Sequence, residues 1–159
     1  MTLDDLTVNF DDLDSEHLLA DWAWLIGATK KPVLLTAGGD AFLQDKNEGS
    51  VHFLDVAAGE LSEIASSGQE FEALLTDKDF VLDYFSVDMV MELRKAGQSL
   101  APGQIYSFKT PPVLGGEFAL ENVAASDIEV HFSLTGQIHE KVSQLPDGAK
   151  ISSIDIQRD

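Results

Sequence analysis

Four histidines, a surplus of carboxylates and two Gly-Gly pairs are the groups in this chain whose types could do chemistry. His131 and His139 are eight positions apart on a stretch with helical spacing, so they share a face but stand roughly 12 Å apart along the axis. One metal ion cannot bridge that gap, and His139-Glu140 has no second histidine four residues on, so the zinc-protease helix signature is absent. His17 and His52 read as surface or packed side chains. The run from Asp45 to Gly49 starts like a calcium loop, but its glycine comes a residue early and the terminal bidentate glutamate is missing; between two apolar runs it reads as a hairpin turn. Gly38-Gly39 and Gly115-Gly116 lead into Asp40 and Glu117, which would repel a phosphate, and no lysine stands where a nucleotide loop needs one. No GxSxG elbow occurs, and in a chain this acidic a carboxylate pair such as Asp11/Asp12 says little about acid–base catalysis. With no cysteine, thiolate ligands and nucleophiles drop out as well. The expectation is a protein with no catalytic residue, no cofactor and no metal.

What the carboxylates can do together is set a field. There are 28 acids against 10 lysines plus arginines, a formal net charge of −18. Such a surface repels nucleic acid and anionic membranes and speeds the encounter with a basic partner. The bias is strongest at the start, where no lysine or arginine precedes Lys30. Asp11, Asp12, Asp14, Glu16 and Asp21 from this block, with Asp40 and Glu117 after the glycine pairs, are the candidate partner-binding residues. The N-terminus lacks the basic and apolar regions of a secretory signal, and no run approaches the ~18 apolar residues of a membrane helix. The cytoplasm is the expected location.

Positioning these groups requires a core, and 159 residues with 44% apolar content suffice for one domain. After an acidic lead-in over residues 1–13, Asp14 or Ser15 caps an expected helix to about Ile26, with Gly27 as its stop. Trp22 and Trp24 differ by roughly 200° around that helix, so one of them is expected at or near the surface. Strands are expected at 32–36, 41–45, 50–55 and 61–65, with a hairpin turn at Lys46–Gly49. Apolar spacing of three and four predicts helices at 67–76, 78–85 and 87–96. A strand follows at 104–109, and Pro111, Pro112, Gly115 and Gly116 exclude regular structure from Thr110 to Gly116. Ser126 and Glu129 form a candidate capping box for a long helix ended by Pro146-Asp147-Gly148. The fold class is α+β: a small, mostly antiparallel sheet flanked by several helices.

Several phrases, in order, resemble one family. They are Trp24–Gly27 (WLIG), Pro32–Leu43 (PVLLTAGGDAFL), Val51–Asp55 (VHFLD), Pro102–Lys109 (PGQIYSFK), Pro111–Glu117 (PPVLGGE) and His131–His139 (HFSLTGQIH). The similarity is to the C-terminal domain of immunity proteins that neutralise DNase toxins of the bacterial type VI secretion system, and it runs from about Trp22 to Ile151. The named members carry a further N-terminal domain, where this chain has its acidic lead-in. The resemblance implies a single immunity-like domain over 1–159 that binds a cognate nuclease toxin and blocks it, without catalysis or cofactor. The basic surface of a nuclease would suit the charge of this chain. The alternatives are a small-ligand or enzymatic domain using the Pro111–Glu117 loop as a pocket lip, and a non-catalytic scaffold. A well-formed apolar pocket with converging polar groups would favour the ligand reading, and a flat acidic face the toxin-binding one.

Overall fold

A strand buried on both faces loses its polar alternation, and Ala41-Phe42-Leu43 is such a run: all three side chains are fully buried. The computed structural model, which describes residues 2–145, places this segment in the middle of a five-stranded antiparallel sheet of order β1-β2-β3-β4-β5. The strands are β1 (Thr7–Val8), β2 (Lys30–Thr36), β3 (Ala41–Asp45), β4 (Val51–Asp55) and β5 (Glu60–Ala65). Phe42 points to one side, into a cluster with Phe53, Phe71, Phe80, Phe85 and Leu93. Ala41 and Leu43 point to the other, into a cluster with Trp22, Leu35, Leu54, Ile128 and Phe132. The molecule is thus three layers. Helices α3 (Gly68–Leu74), α4 (Lys78–Tyr84) and α5 (Val87–Lys95) cover one face of the sheet, while the N-terminal segment and α6 (Ile128–Ser143) cover the other. The α+β class read from the sequence holds.

The hairpin turn at 46–49 is set by one carboxylate. Asp45 accepts from the backbone N–H groups of Asn47 and Glu48 and from the Thr29 hydroxyl. The Glu48 N–H, the Thr29 hydroxyl and the Asn47 N–H together hold its pKa down to about 2. The calcium-loop resemblance is therefore a hydrogen-bonded turn with Gly49 at φ 77°.

Three expectations are corrected. The helix predicted from Asp14 to Ile26 forms only as a 3-10 turn at Ala20–Trp22 and the short α2 at Ala23–Ile26. Upstream, side-chain oxygens of Asn9 and Asp14 take the N–H groups of Asp11 and Glu16, the local bonding by which such residues compete with helix. The lead-in contributes a single turn, α1 (Leu3–Leu6), and the edge strand β1 paired with Leu35 and Thr36; the Asp5–Arg94 ion pair at 2.8 Å ties it to α5.

Second, the strand expected at 104–109 (β6, Gln104–Phe108) has a partner the sequence reading missed, β7 (Val123–Asp127), in a separate two-stranded sheet. The residues of β7 are too small and polar to signal a strand by alternation, so pairing decides their conformation. Third, that pairing moves the helix start: Ser126 sits opposite Ile105 in the ladder, and Asp127 instead caps α6 by accepting from the Val130 N–H. The Ser126/Glu129 capping box does not form. The expected stop at Pro146–Gly148 lies outside the described residues.

Of the tryptophans, Trp22 is completely buried and Trp24 is 36% exposed. Their rings stack with centroids 5.9 Å apart. The Trp24 indole N–H donates to the Gly136 carbonyl at 3.2 Å, whereas that of Trp22 has no acceptor among the described residues. Close approach of α6 to this segment requires Gly136, because a β-carbon there would lie 2.6 Å from the Asp21 carbonyl oxygen.

Candidate functional site

The Thr36–Asp40 turn, which joins β2 to β3, is where several buried polar groups meet. Its backbone is fixed by the Thr36 N–H donating to the Asp40 carbonyl and the Thr36 hydroxyl accepting from the Asp40 N–H. The Ala37 carbonyl accepts from the Tyr106 N–H, which docks β6 against the turn. Gly38 packs against Ser86, and Gly39, at φ 94°, against the ring of His131. Four elements therefore meet here: the turn, the α4–α5 junction, the β6–β7 sheet with its loop, and α6.

Between them lies a cavity of about 550 Å3, within the usual range for small-molecule sites. Phe53, Tyr84, Val87, Met89, Phe108 and Ile138 give it apolar walls. Leu82, Phe118 and Leu120, at 47%, 79% and 38% exposure, stand at its edge as large apolar side chains open to solvent. Phe118 makes an edge-to-face contact with Phe108.

Polar groups converge on the same space. One oxygen of Asp40, Oδ1, accepts the Val56 N–H at 2.9 Å. Desolvation raises the Asp40 pKa to about 7, the Val56 bond opposing and the Asp55 charge assisting. His131 has both ring nitrogens engaged: Nε2 lies 2.8 Å from the Gly39 carbonyl and Nδ1 2.7 Å from the Ser107 hydroxyl. A carbonyl can only accept, so in the neutral ring Nε2 carries the hydrogen and Ser107 donates to Nδ1. Burial holds the His131 pKa near 4, against the upward pull of Gly39. His139 is likewise buried and its pKa lowered by desolvation, with a Val56 backbone bond and the Asp55 charge opposing. Its ring abuts Gly59, whose φ is 70°.

Ser107 and His131 thus have the hydrogen bond of a nucleophile–base pair, for which no motif in the sequence is a cue. Its chemistry is weak, however: a histidine titrating near 4 is a poor base at neutral pH, and its second nitrogen is committed to a backbone carbonyl. The pair locks α6 to β6 and to the Gly38–Gly39 turn. Among the described residues no group of three His, Cys, Asp or Glu side chains is placed to hold a metal ion.

Ser86 was also missed. With Phe85 it forms the two-residue junction between α4 and α5, and among the described residues it is the one non-glycine with positive φ, at 50°. A left-handed conformation costs a residue of this kind roughly 1–2 kcal/mol. Strain of this sort gathers at functional sites, and Ser86 lines the cavity.

The loop over the cavity, Thr110–Asn122, is irregular apart from 3-10 turns at Pro112–Leu114 and Leu120–Asn122. Asn122 clasps it, accepting from the Thr110 N–H and donating to the carbonyls of Thr110 and Glu117, each at 2.9 Å. Gly116 is pressed against the Thr110 carbonyl with no room for a β-carbon. Asn122→Ala is expected to destabilise the loop by about 1–3 kcal/mol. Hydrogen exchange would read this as faster amide exchange from Thr110 to Glu117, with α3 unchanged.

The seven sequence-predicted partner residues stand in different settings. Asp11, Asp12, Asp14 and Glu16 are exposed, and Asp14 is paired with His17 at 2.6 Å. The Asp21 carboxylate accepts from the Ser133 hydroxyl at 2.6 Å and serves the packing of α6. Asp40 lines the cavity, and Glu117 is exposed in the loop beside it. Acids not singled out from the sequence, Asp55, Asp83, Asp88 and Glu92, join Asp40 around the cavity. Asp88 and Glu92 do so because four-residue spacing puts them on one face of α5.

Residues 65–139 match a family model described as T6SS immunity protein Tdi1, C-terminal. The resemblance seen in the sequence is thereby supported from the last residue of β5 to the third turn of α6 and beyond, a span that includes most of the cavity lining. No curated protein matches the chain. Among solved structures, the crystal structure of Atu4351 from Agrobacterium tumefaciens is similar, with a TM-score of 0.57 and 18% identity. The match covers 77% of this chain and 64% of that one. At this identity the likeness shows a shared fold. No helix among the described residues is long and apolar enough to cross a membrane.

Proposed function

Taking the match of residues 65–139 to the immunity-protein model as the premise, we propose that this chain is a cytoplasmic immunity protein that binds a cognate type VI secretion nuclease toxin and blocks it by occlusion. The observation that carries this reading is the family match over residues 65–139. Charge supports it: a −18 chain meets the lysines and arginines with which a nuclease holds DNA phosphates. Exposed apolar side chains beside acids, Phe118, Leu82 and Leu120 with Asp83, Asp88 and Glu92, have the composition of a protein-binding surface, where aromatic anchors bury and a charged rim steers. The exposed Asp11, Asp12, Asp14 and Glu16, and Glu117 beside the cavity, would add to the steering field. Inhibition of this kind needs no catalysis.

The test is genetic and biochemical. The product of the adjacent gene is expected to co-purify with this chain, and cells expressing it are expected to survive only when this chain is co-expressed. Equal survival without it would remove the immunity reading.

A second reading is favoured by one observation. The largely apolar cavity with Asp40, Ser86 and Ser107 on its walls, and Pro111 and Pro112 in its lining, is what a small-ligand domain would present. The two readings are compatible if one cavity serves both.

A further inference from the structure

The cavity between the Gly38–Asp40 turn, the α4–α5 junction, the Thr110–Asn122 loop and α6 has a one-signed chemistry. Its ionisable lining residues other than histidine are Asp40, Asp55, Asp83, Asp88 and Glu92; no lysine or arginine lines it. The two histidines, His131 and His139, have lowered pKa values and are neutral there. Asp40 has one oxygen, Oδ1, bound to the Val56 N–H, while Oδ2 has no partner among the described residues and Asp40 remains partly accessible. Apart from the hydroxyls of Ser86, Ser107 and Thr135 the walls are mostly apolar, and Tyr84 and Phe118 supply aromatic rings of the kind that attract cations.

We propose that this cavity is a binding site for an organic cation with an apolar body: a protonated amine or guanidinium on an aliphatic or aromatic stem. The stem fills the space between Phe53, Val87, Met89 and Phe108, and the charged nitrogen donates to the free oxygen of Asp40. A cation there also relieves the repulsion between Asp40 and Asp55. An anionic ligand would meet a lining whose acids have no basic counterpart, and a neutral one could at most hydrogen-bond Asp40 without pairing its charge, so both are selected against.

Binding should strengthen as pH rises through 7. Asp40 must ionise to pair, and the groups facing it, Asp55, Asp83, Asp88 and Glu92 with neutral His131 and His139, do not reverse the sign of the field.

The same chemistry is offered by a free amine or by a Lys or Arg side chain of a bound protein; only the second source rests on the immunity reading. Titration of the full chain with n-hexylamine, followed by calorimetry and by amide shifts, is the direct test, with n-hexanol and hexanoate as controls. Saturable amine binding is expected, about tenfold tighter than hexanol, with no binding of hexanoate. Asp40→Asn, which keeps an acceptor for the Val56 N–H, should weaken the amine about tenfold. Asp88→Asn/Glu92→Gln, at exposed positions, should weaken it severalfold without touching the packing. Equal affinity for amine and alcohol, absence of saturable binding, or indifference to both variants would overturn the proposal.

The source is then read from the complex with the adjacent gene's product. Displacement by saturating hexylamine identifies a partner side chain as the native cation, and a complex that persists with the amine bound identifies a free amine. Failure to form any complex ends the immunity reading and leaves the amine titration standing on its own.

Discussion

Alanine at Gly39 or Gly59 is expected to cost about 3–5 kcal/mol, against about 1–2 kcal/mol for alanine at Gly49 or Gly97. All four glycines have similar backbone angles, with φ of 94°, 70°, 77° and 82°. The penalty of a left-handed conformation is therefore shared by the four. What differs is the neighbour. Around Gly49 and Gly97 a β-carbon meets nothing within 4 Å, whereas at Gly39 it would lie 2.8 Å from His131 Nε2 and 3.0 Å from the Tyr106 carbonyl oxygen. At Gly59 it would strike the His139 ring. Moving His131 breaks its bonds to Gly39 and Ser107 and leaves buried polar atoms unpaired. Urea denaturation of the four variants, with unchanged m-values, would measure the contrast. Equal costs at all four positions would mean that the two turns are not docked on α6 through its histidines.

The second large effect concerns pH. The folded His131 titrates near 4 rather than 6.5, so between these values the unfolded chain holds the extra proton and stability falls as pH falls. Asp40 titrates at about 7 rather than 3.8, so between those values the folded chain holds the extra proton and stability falls as pH rises. Each slope has a limiting size of roughly 1.4 kcal/mol per pH unit, and over pH 4–6.5 they oppose each other.

Asp40→Asn removes one arm of this balance. The variant is expected to be relatively more stable than the wild type above pH 7, with the difference shrinking as pH falls toward 4. The acid sensitivity due to His131 and His139 then stands uncompensated. Thermal melts of both proteins from pH 4.5 to 8 would show the gap. A gap independent of pH would mean that Asp40 ionises as a surface carboxylate.

How much of this was legible follows from how locally each feature is specified. The strands from Lys30 to Ala65, the three helices from Gly68 to Lys95 and the turn at Asp45–Gly49 are dictated by apolar spacing and by Gly and Asp at turn positions, and they form where the spacing puts them. The N-terminal helix was over-read because side chains of Asn9 and Asp14 satisfy backbone donors that a helix would use. β7 was missed because Val123–Asp127 has strand character only opposite Gln104–Phe108. The purpose of the glycine pairs was hidden, because each makes room for a contact that only the folded chain creates: Gly39 for His131 on α6, and Gly116 for the Thr110 carbonyl across its own loop.

By itself the sequence determined the sign of the molecule's field, the α+β class and the family resemblance, since composition, period and word order need no coordinates. Only the tertiary structure decided which acids act together. It separates Asp11–Glu16 from Asp40, assigns Asp21 to packing through Ser133, and gathers Asp55, Asp83, Asp88 and Glu92 around Asp40. Burial, unlike charge, belongs to no residue until the chain has folded around it, and burial is what turns Asp40 from one carboxylate among 28 acids into a group titrating near neutrality in an apolar cavity.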